Sequence, residues 1–144
     1  MPTLHRTLLR IALVVLVAAG CGSDETAPPA EDHTPVSYTV LINDNQVTAP
    51  YTFTDGQTVR VRLKFFNAAQ EDLDDVESSH FGGITFNPAS LATAVRLSDH
   101  HYQFDVTGGT AGTGTLQVSY GHDELADETT FPAADVTVSP ALAP

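Results

Sequence analysis

The sequence predicts an all-β sandwich, and three observations lead to that prediction. Apolar and polar residues alternate with a period of two, as in the run from Val59 to Phe65. Turn residues such as Asn43-Asp44-Asn45 and Asn87-Pro88 separate these runs. No stretch sustains the apolar period of an amphipathic helix. Strands of this number and spacing, over about 100 residues, are typical of two packed sheets.

Seven strands are predicted, named A to G in chain order, with an accessory edge segment at 46–54. Their ranges are 36–42, 58–66, 80–86, 92–97, 101–106, 114–120 and 133–139. The one candidate for a helix, 88–97, begins with a proline and is interpreted as a turn followed by strand D. The glycine-rich run 108–114 lacks the lysine of a phosphate-binding loop, so it is predicted to be the E–F turn.

The strand count resembles that of a single antiparallel immunoglobulin-like β-sandwich and covers most of 36–144. The cysteine pair and core tryptophan of antibody domains are absent, since the sequence has one Cys and no Trp. A cupredoxin is the rival sandwich, but its copper site needs a cysteine thiolate, and Cys21 lies before the first strand. The immunoglobulin-like resemblance implies that strands C and F are antiparallel neighbours. The B–C and F–G loops would then emerge at the same end.

The N-terminal residues precede the predicted fold. Arg6 and Arg10 come before an apolar stretch, 11–19, that is shorter than the roughly 20 residues of a spanning helix. Residues 1–20 are therefore predicted to be a signal peptide. The sequence Ala18-Ala19-Gly20-Cys21 resembles the lipobox of bacterial lipoproteins, which implies cleavage before Cys21 and diacylation of its thiol. Two acyl chains are enough for stable membrane anchoring.

The lipobox resemblance also implies a location in the bacterial cell envelope, on its periplasmic or extracellular side. Gly22 stands where an aspartate would favour the inner membrane, which implies the outer membrane in a diderm. Residues 21–35 are polar, acidic and proline-containing, and they predict a flexible tether. Residues 36–144 are long enough for one domain with one core. A single cysteine allows no disulfide within the chain.

The charge balance restricts the class of partner. Six Lys and Arg against 18 Asp and Glu give a formal net charge of −12. Loss of Arg6 and Arg10 with the signal peptide leaves four cations and all 18 acids, a charge of −14. Such a surface repels nucleic acid and anionic lipid headgroups. Cations, a basic protein partner, self-association or simple solubility remain as explanations.

A candidate metal site follows from the topology. His80 begins strand C and His122 follows strand F, each sharing the parity of the apolar residues in its strand. Adjacent C and F strands would bring both imidazoles to one end of one sheet. Nine carboxylates occupy the adjoining loops: Glu71, Asp72, Asp74, Asp75, Glu77, Asp123, Glu124, Asp127 and Glu128. The predicted ligands are His80, His122, Asp123, Glu124, Asp127 and Glu128.

The chemistry of this set favours particular ions. Imidazole nitrogen with carboxylate oxygen suits Zn²⁺ or Cu²⁺, whereas carboxylates alone suit Ca²⁺. The alternative is that the acidic loops are merely solvated and the histidines cap strand ends. The first functional hypothesis is a non-enzymatic, lipid-anchored domain that binds a divalent metal ion. The second is an interaction module whose acidic end meets a basic partner or another copy. No GxSxG nucleophile motif is present, and no enzymatic activity is predicted.

Two further groups of residues are interpreted structurally. His100 and His101 are neighbours, and neighbours on a strand point to opposite faces, so they are predicted to fill a turn before strand E. Arg60, Arg62 and Lys64 form a basic stripe on strand B. The stripe is expected to pair with carboxylates across the sheet or to protect an edge, with docking of an anion as the alternative.

Overall fold

Two β-sheets form the fold in the computed structural model, which describes residues 34–73, 79–122, 126 and 128–143. The strands are β1 (Ser37–Ile42), β2 (Asn45–Val47), β3 (Tyr51–Thr54), β4 (Thr58–Phe66), β5 (Phe81–Asn87), β6 (Ala92–Arg96), β7 (Gln103–Gly108), β8 (Gly112–Gly121), β9 (Thr129–Thr130) and β10 (Ala134–Ser139). The predicted signal peptide, 1–20, and the tether up to residue 33 lie outside the described residues. Within the described part, no helix is long and apolar enough to cross a bilayer.

The strand order is that of an immunoglobulin-like sandwich. The first sheet has the order β2-β1-β4-β7-β6, and the second has the order β3-β10-β8-β5, with β9 paired to β8. Predicted strands A, B, E and D are β1, β4, β7 and β6, so they share the first sheet. Predicted strands C, F and G are β5, β8 and β10, so they share the second. This division into an ABED sheet and a CFG sheet defines the fold and confirms the predicted class.

The accessory segment differs from the prediction. It contains two strands, because β2 pairs with β1 in the first sheet while β3 runs parallel to β10 in the second. Pro50 lies between them, and proline has no N–H to donate to a sheet ladder. The chain therefore changes sheets at this point. The second sheet is consequently mixed, not purely antiparallel as expected.

The turn between β1 and β2 contains the turn residues that the sequence predicts there. Ile42 pairs with Asn45, which leaves a two-residue hairpin loop of Asn43 and Asp44. Their φ angles are 48° and 64°. Positive φ at both central residues belongs to a type I′ turn, and Asn and Asp tolerate that conformation better than most residues.

The core lies between the two sheets and is built from the apolar half of each alternating strand. Val61, Leu63 and Phe65 of β4 are fully buried, whereas Arg62 and Lys64 between them face outward. Phe65 connects the sheets because its ring lies 5.0 Å from Tyr120 and 5.8 Å from Phe131. All strands and this core lie between residues 37 and 139, within one compact unit.

Tyr51 carries a polar hydroxyl group at the edge of the apolar core. Its side chain is buried at the start of β3. Burial, then the nearby Tyr38 and its hydrogen bond, raise the pKa of Tyr51 to about 12. Folding therefore favours the neutral phenol. The resulting stability is complete below pH 10 and is lost as the pH rises through 12.

Candidate functional site

The pairing of β5 with β8 places His80 beside His122. Phe81 of β5 pairs with Gly121 of β8, and His80 directly precedes Phe81 while His122 directly follows Gly121. The centroids of the two imidazole rings lie 4.0 Å apart, with 50° between the ring planes. The proximity predicted from the strand order is confirmed. Binding of an ion by the pair remains a prediction.

The two histidines have different surroundings. His80 is 7% exposed, and its ring stacks on Tyr120 with a centroid distance of 5.0 Å. The side chain of His122 is 61% exposed. His80 is therefore held by packing, whereas His122 lies at the surface and can change its rotamer. Sequence reasoning did not identify Tyr120 as part of the site, although its alternation with Leu116 and Val118 predicted an inward direction.

Glu128 is the hydrogen-bond partner of His122. Both carboxylate oxygens of Glu128 lie 2.6 Å from His122 Nδ1. An ionised carboxylate only accepts, so Nδ1 donates and Nε2 of the neutral ring keeps its lone pair. This is the usual arrangement of a metal-binding histidine, in which a carboxylate orients the ring from behind. Glu128, predicted as a ligand, instead contacts the side of His122 away from the nitrogen that would bind the ion.

A short strand produces this contact. Thr129 of β9 pairs with Tyr120 of β8, so the chain returns beside itself directly after Glu128. His122 and Glu128 consequently face each other across the base of a loop. Sequence reasoning missed β9 because two residues are too few for a period-two pattern. Its β-branched Thr129-Thr130 pair was the available signal.

The acids of the B–C loop are partly engaged elsewhere. Glu71 accepts a hydrogen bond of 2.8 Å from the side-chain amide of Asn67. Asp72 forms an ion pair with Lys64 of β4. Leu73 is buried, and its N–H bonds to the carbonyl oxygen of Phe65. The start of this loop thus folds back along β4, and two of the nine carboxylates predicted around the histidines, Glu71 and Asp72, have partners on or next to that strand.

Several predicted site residues lie outside the described residues. They are Asp123, Glu124 and Asp127 of the F–G loop, Asp74, Asp75 and Glu77 of the B–C loop, and the lipidation site Cys21. Among the residues that are described, no group of three or more His, Cys, Asp or Glu side chains is arranged to hold a metal ion. The described part of the site is therefore a histidine pair with one supporting carboxylate.

The basic stripe of β4 pairs with acids, as expected. Arg60 Nε lies 2.8 Å from an oxygen of Asp105, its register partner on β7. Arg62 lies 3.5 Å from Asp44, and the lysine of the stripe pairs with Asp72 as described above. Since each cation of the stripe already faces a carboxylate, the stripe is poorly suited to bind a further anion.

The second histidine pair is separate from the first. His100 and His101 lie in the turn between β6 and β7, as predicted. The His101 ring stacks on Phe81 at 4.2 Å, and the Arg96 guanidinium lies 4.8 Å from the centroid of the same Phe81 ring. These contacts cover the start of the β5 edge. They give His101 a packing role there.

Comparisons with known proteins add a likeness in fold only. No family model and no curated protein matches the chain. Among solved structures, the chain is similar to one titled "Crystal structure of the S-layer protein SbsC domains 4 and 5", with 14% identity and a TM-score of 0.48. The alignment covers 74% of this chain and 54% of that one, so the chain spans about half its length. A likeness this distant carries no argument about function, and the strand order itself defines the fold.

Proposed function

We propose that this protein is a non-enzymatic, lipid-anchored domain of the bacterial cell envelope that binds a divalent metal ion at the His80–His122 pair. The supporting observation is the contact between the two rings, 4.0 Å between centroids, with Glu128 on Nδ1 of the exposed ring. Two nitrogen donors favour Zn²⁺ or Cu²⁺ over Ca²⁺, which prefers oxygen ligands. Asp123, Glu124 and Asp127 stay predicted as additional ligands on the sequence alone.

The ring geometry requires a small adjustment to accept an ion. Imidazoles bound through Nε2 at about 2.0 Å, with an angle of roughly 90–110° at the metal, hold their ring centroids roughly 4.5–5 Å apart. The observed separation of 4.0 Å must therefore increase. His122 can supply that movement because it is largely exposed, while the buried His80 keeps its place on Tyr120.

Metal content and thermal stability test the proposal. The chain from Gly22 onward, purified without an affinity tag or chelator, is analysed for metal and then melted with and without Zn²⁺ or Cu²⁺ at pH 7.5. Binding to the folded state alone raises the melting temperature by mass action. We expect about one ion per chain and a higher melting temperature. Absence of both would contradict the metal-binding function.

The membrane anchor has its own test. If Cys21 is acylated, Cys21→Ser should shift the protein from the detergent phase to the aqueous phase, or leave an uncleaved precursor. Unchanged partitioning would exclude the lipid anchor and leave the histidine site unaffected.

The second candidate function is an interaction module whose acidic end binds a basic partner or another copy. It is favoured by the formal net charge of −12 and by the absence of a three-residue metal group among the described residues. Salt separates the two functions. Contacts between exposed charges weaken steeply with ionic strength, whereas direct coordination of an ion by nitrogen does not.

A further inference from the structure

Ala126 is a buried residue in the loop that joins His122 to Glu128. It is 0% exposed, although acidic residues flank it in the sequence. Its φ angle is 51°, in the left-handed region that non-glycine residues rarely occupy. A loop residue that is both buried and left-handed is held by what surrounds it.

Gly83 on β5 forms the surface against which Ala126 packs. It lies on the outer face of the second sheet, since its neighbours Gly82 and Ile84 face the core. A Cβ atom at Gly83 would lie 2.3 Å from Ser119 Oγ and 3.5 Å from Ala126 Cβ. Ser119 and Ala126 thus occupy the space that a side chain would otherwise take. We call this space above Gly83 the notch.

We propose that Gly83 and Ala126 are positioning residues of the histidine site. Ala126 packs in the notch on the outer face of the sheet. Glu128, two residues further on, is thereby held against His122 Nδ1. The relevance to metal affinity rests on the proposed function, whereas the effect on the His122–Glu128 contact does not.

The physical reason is preorganisation. A loop without an inner anchor samples many conformations, and holding one carboxylate in place costs conformational entropy at the moment of binding. Because folding already positions Ala126 and Glu128, less of that entropy is lost when an ion binds. The carboxylate then keeps the tautomer of His122 in which Nε2 is ready for an ion.

A graded substitution series at Gly83 tests the inference, with the chain from Gly22 onward. Gly83→Ala should have little effect, because the Ser119 hydroxyl can rotate and 3.5 Å is an ordinary contact with Ala126. Gly83→Val adds methyl groups that reach Ala126 and should expel it. Thr85→Val is the matched control, because it adds the same β-branched apolar residue to the same face of β5 at an exposed position.

Two readouts are measured. The first is the ¹⁵N chemical shifts of the His122 imidazole in the metal-free protein at pH 7.5, which report whether Nδ1 carries the proton. The second is the dissociation constant for Zn²⁺. For Gly83→Val we expect a mixture of tautomers and affinity weaker by about 10- to 100-fold, the usual cost of losing an outer partner of a ligand. For Gly83→Ala and Thr85→Val we expect wild-type tautomers and affinity.

Ala126→Leu keeps the inference testable if Gly83→Val does not fold. The substitution lies in the loop, and the larger side chain does not fit the notch. It should produce the same mixture of tautomers while the sheets remain intact. Wild-type His122 shifts in folded Gly83→Val or Ala126→Leu would overturn the positioning role. A wild-type protein without Zn²⁺ affinity, whose His122 tautomer still responds to these variants, would refute the metal function and support the notch.

Discussion

The outer face of the first sheet and the histidine end of the second sheet use charge in different ways. On the first, Arg60, Arg62 and Lys64 project from one strand, and each faces a carboxylate. At the second, His80 and His122 face each other, and one carboxylate contacts the outer ring. The positive charges of the stripe are neutralised by these carboxylates. The histidine pair brings one buried and one exposed imidazole close together in an acidic protein.

The difference lies in where the residues stand relative to the strands. Stripe residues lie within β4, where Arg60 is opposite Asp105 on β7. The register of the paired strands thus places a carboxylate opposite Arg60. The two histidines lie just beyond the paired ends of β5 and β8, where loops supply the partners. Ladder pairing favours a structural role, and the open end of a sheet leaves room for a ligand.

The largest expected effect is loss of the metal-binding side chains. His80→Ala and His122→Ala should each weaken Zn²⁺ or Cu²⁺ binding by at least about 100-fold, more than the loss of an outer partner costs. The double variant should lose little beyond either single one, because ligands of one site act as a unit. Titration calorimetry measures the affinities, and His100→Ala, in an exposed turn, is the control. Additive losses would mean two separate sites.

Acidification should weaken metal binding next most strongly. Imidazole in model peptides protonates near pH 6.5, and the proton competes with the ion for the same lone pair. Between pH 7.5 and 5.5 the affinity should therefore fall. The stability added by the metal is therefore present at neutral pH and lost as the pH falls. Calorimetric melting with and without Zn²⁺ measures it, and an unchanged increment at pH 5.5 would argue against histidine ligands.

Removing the charge of Glu128 should have an intermediate effect. In Glu128→Gln the amide oxygen can still accept a hydrogen bond from His122 Nδ1, so the tautomer persists. Without the carboxylate charge, however, Nε2 is less basic and binds a metal ion more weakly. We expect Zn²⁺ affinity to fall by about 10-fold with an unchanged melting temperature of the metal-free protein. Asp135→Asn, an exposed charge loss on β10, should leave the affinity unaltered. Equal losses in both variants would indicate a general effect of net charge.

The smallest effect should come from the stripe. The Arg62 side chain is 31% exposed and its partner Asp44 is 84% exposed, so their attraction is screened by water. Arg62→Gln should lower the free energy of unfolding by about 1 kcal/mol or less. It should not change metal affinity. Urea denaturation measures the first quantity. A loss of several kcal/mol would show that Arg62 is part of the packed structure. The stripe and the histidine end would then differ less in how much they contribute to stability.

The sequence by itself determined the class of fold and most of its strands. Period-two alternation marks β4 and β8 because an exposed face and a buried face must alternate along a half-buried strand. Asn43 and Asp44 predicted a turn because few residue types accept positive φ angles. The order of strands in the immunoglobulin-like resemblance then placed His80 beside His122, as the structure does.

Only the tertiary structure decided how the site is assembled. Glu71 and Asp72 bond to side chains on or next to β4, which loop sequence does not reveal because polar loops satisfy many pairings equally well. Glu128 meets His122 through the two-residue strand β9, which is too short to leave a pattern. Ala126 packs beside Gly83 of β5, a residue that is distant from it in the sequence. Local sequence records propensity and periodicity, whereas these contacts join residues that become neighbours only when the strands pair.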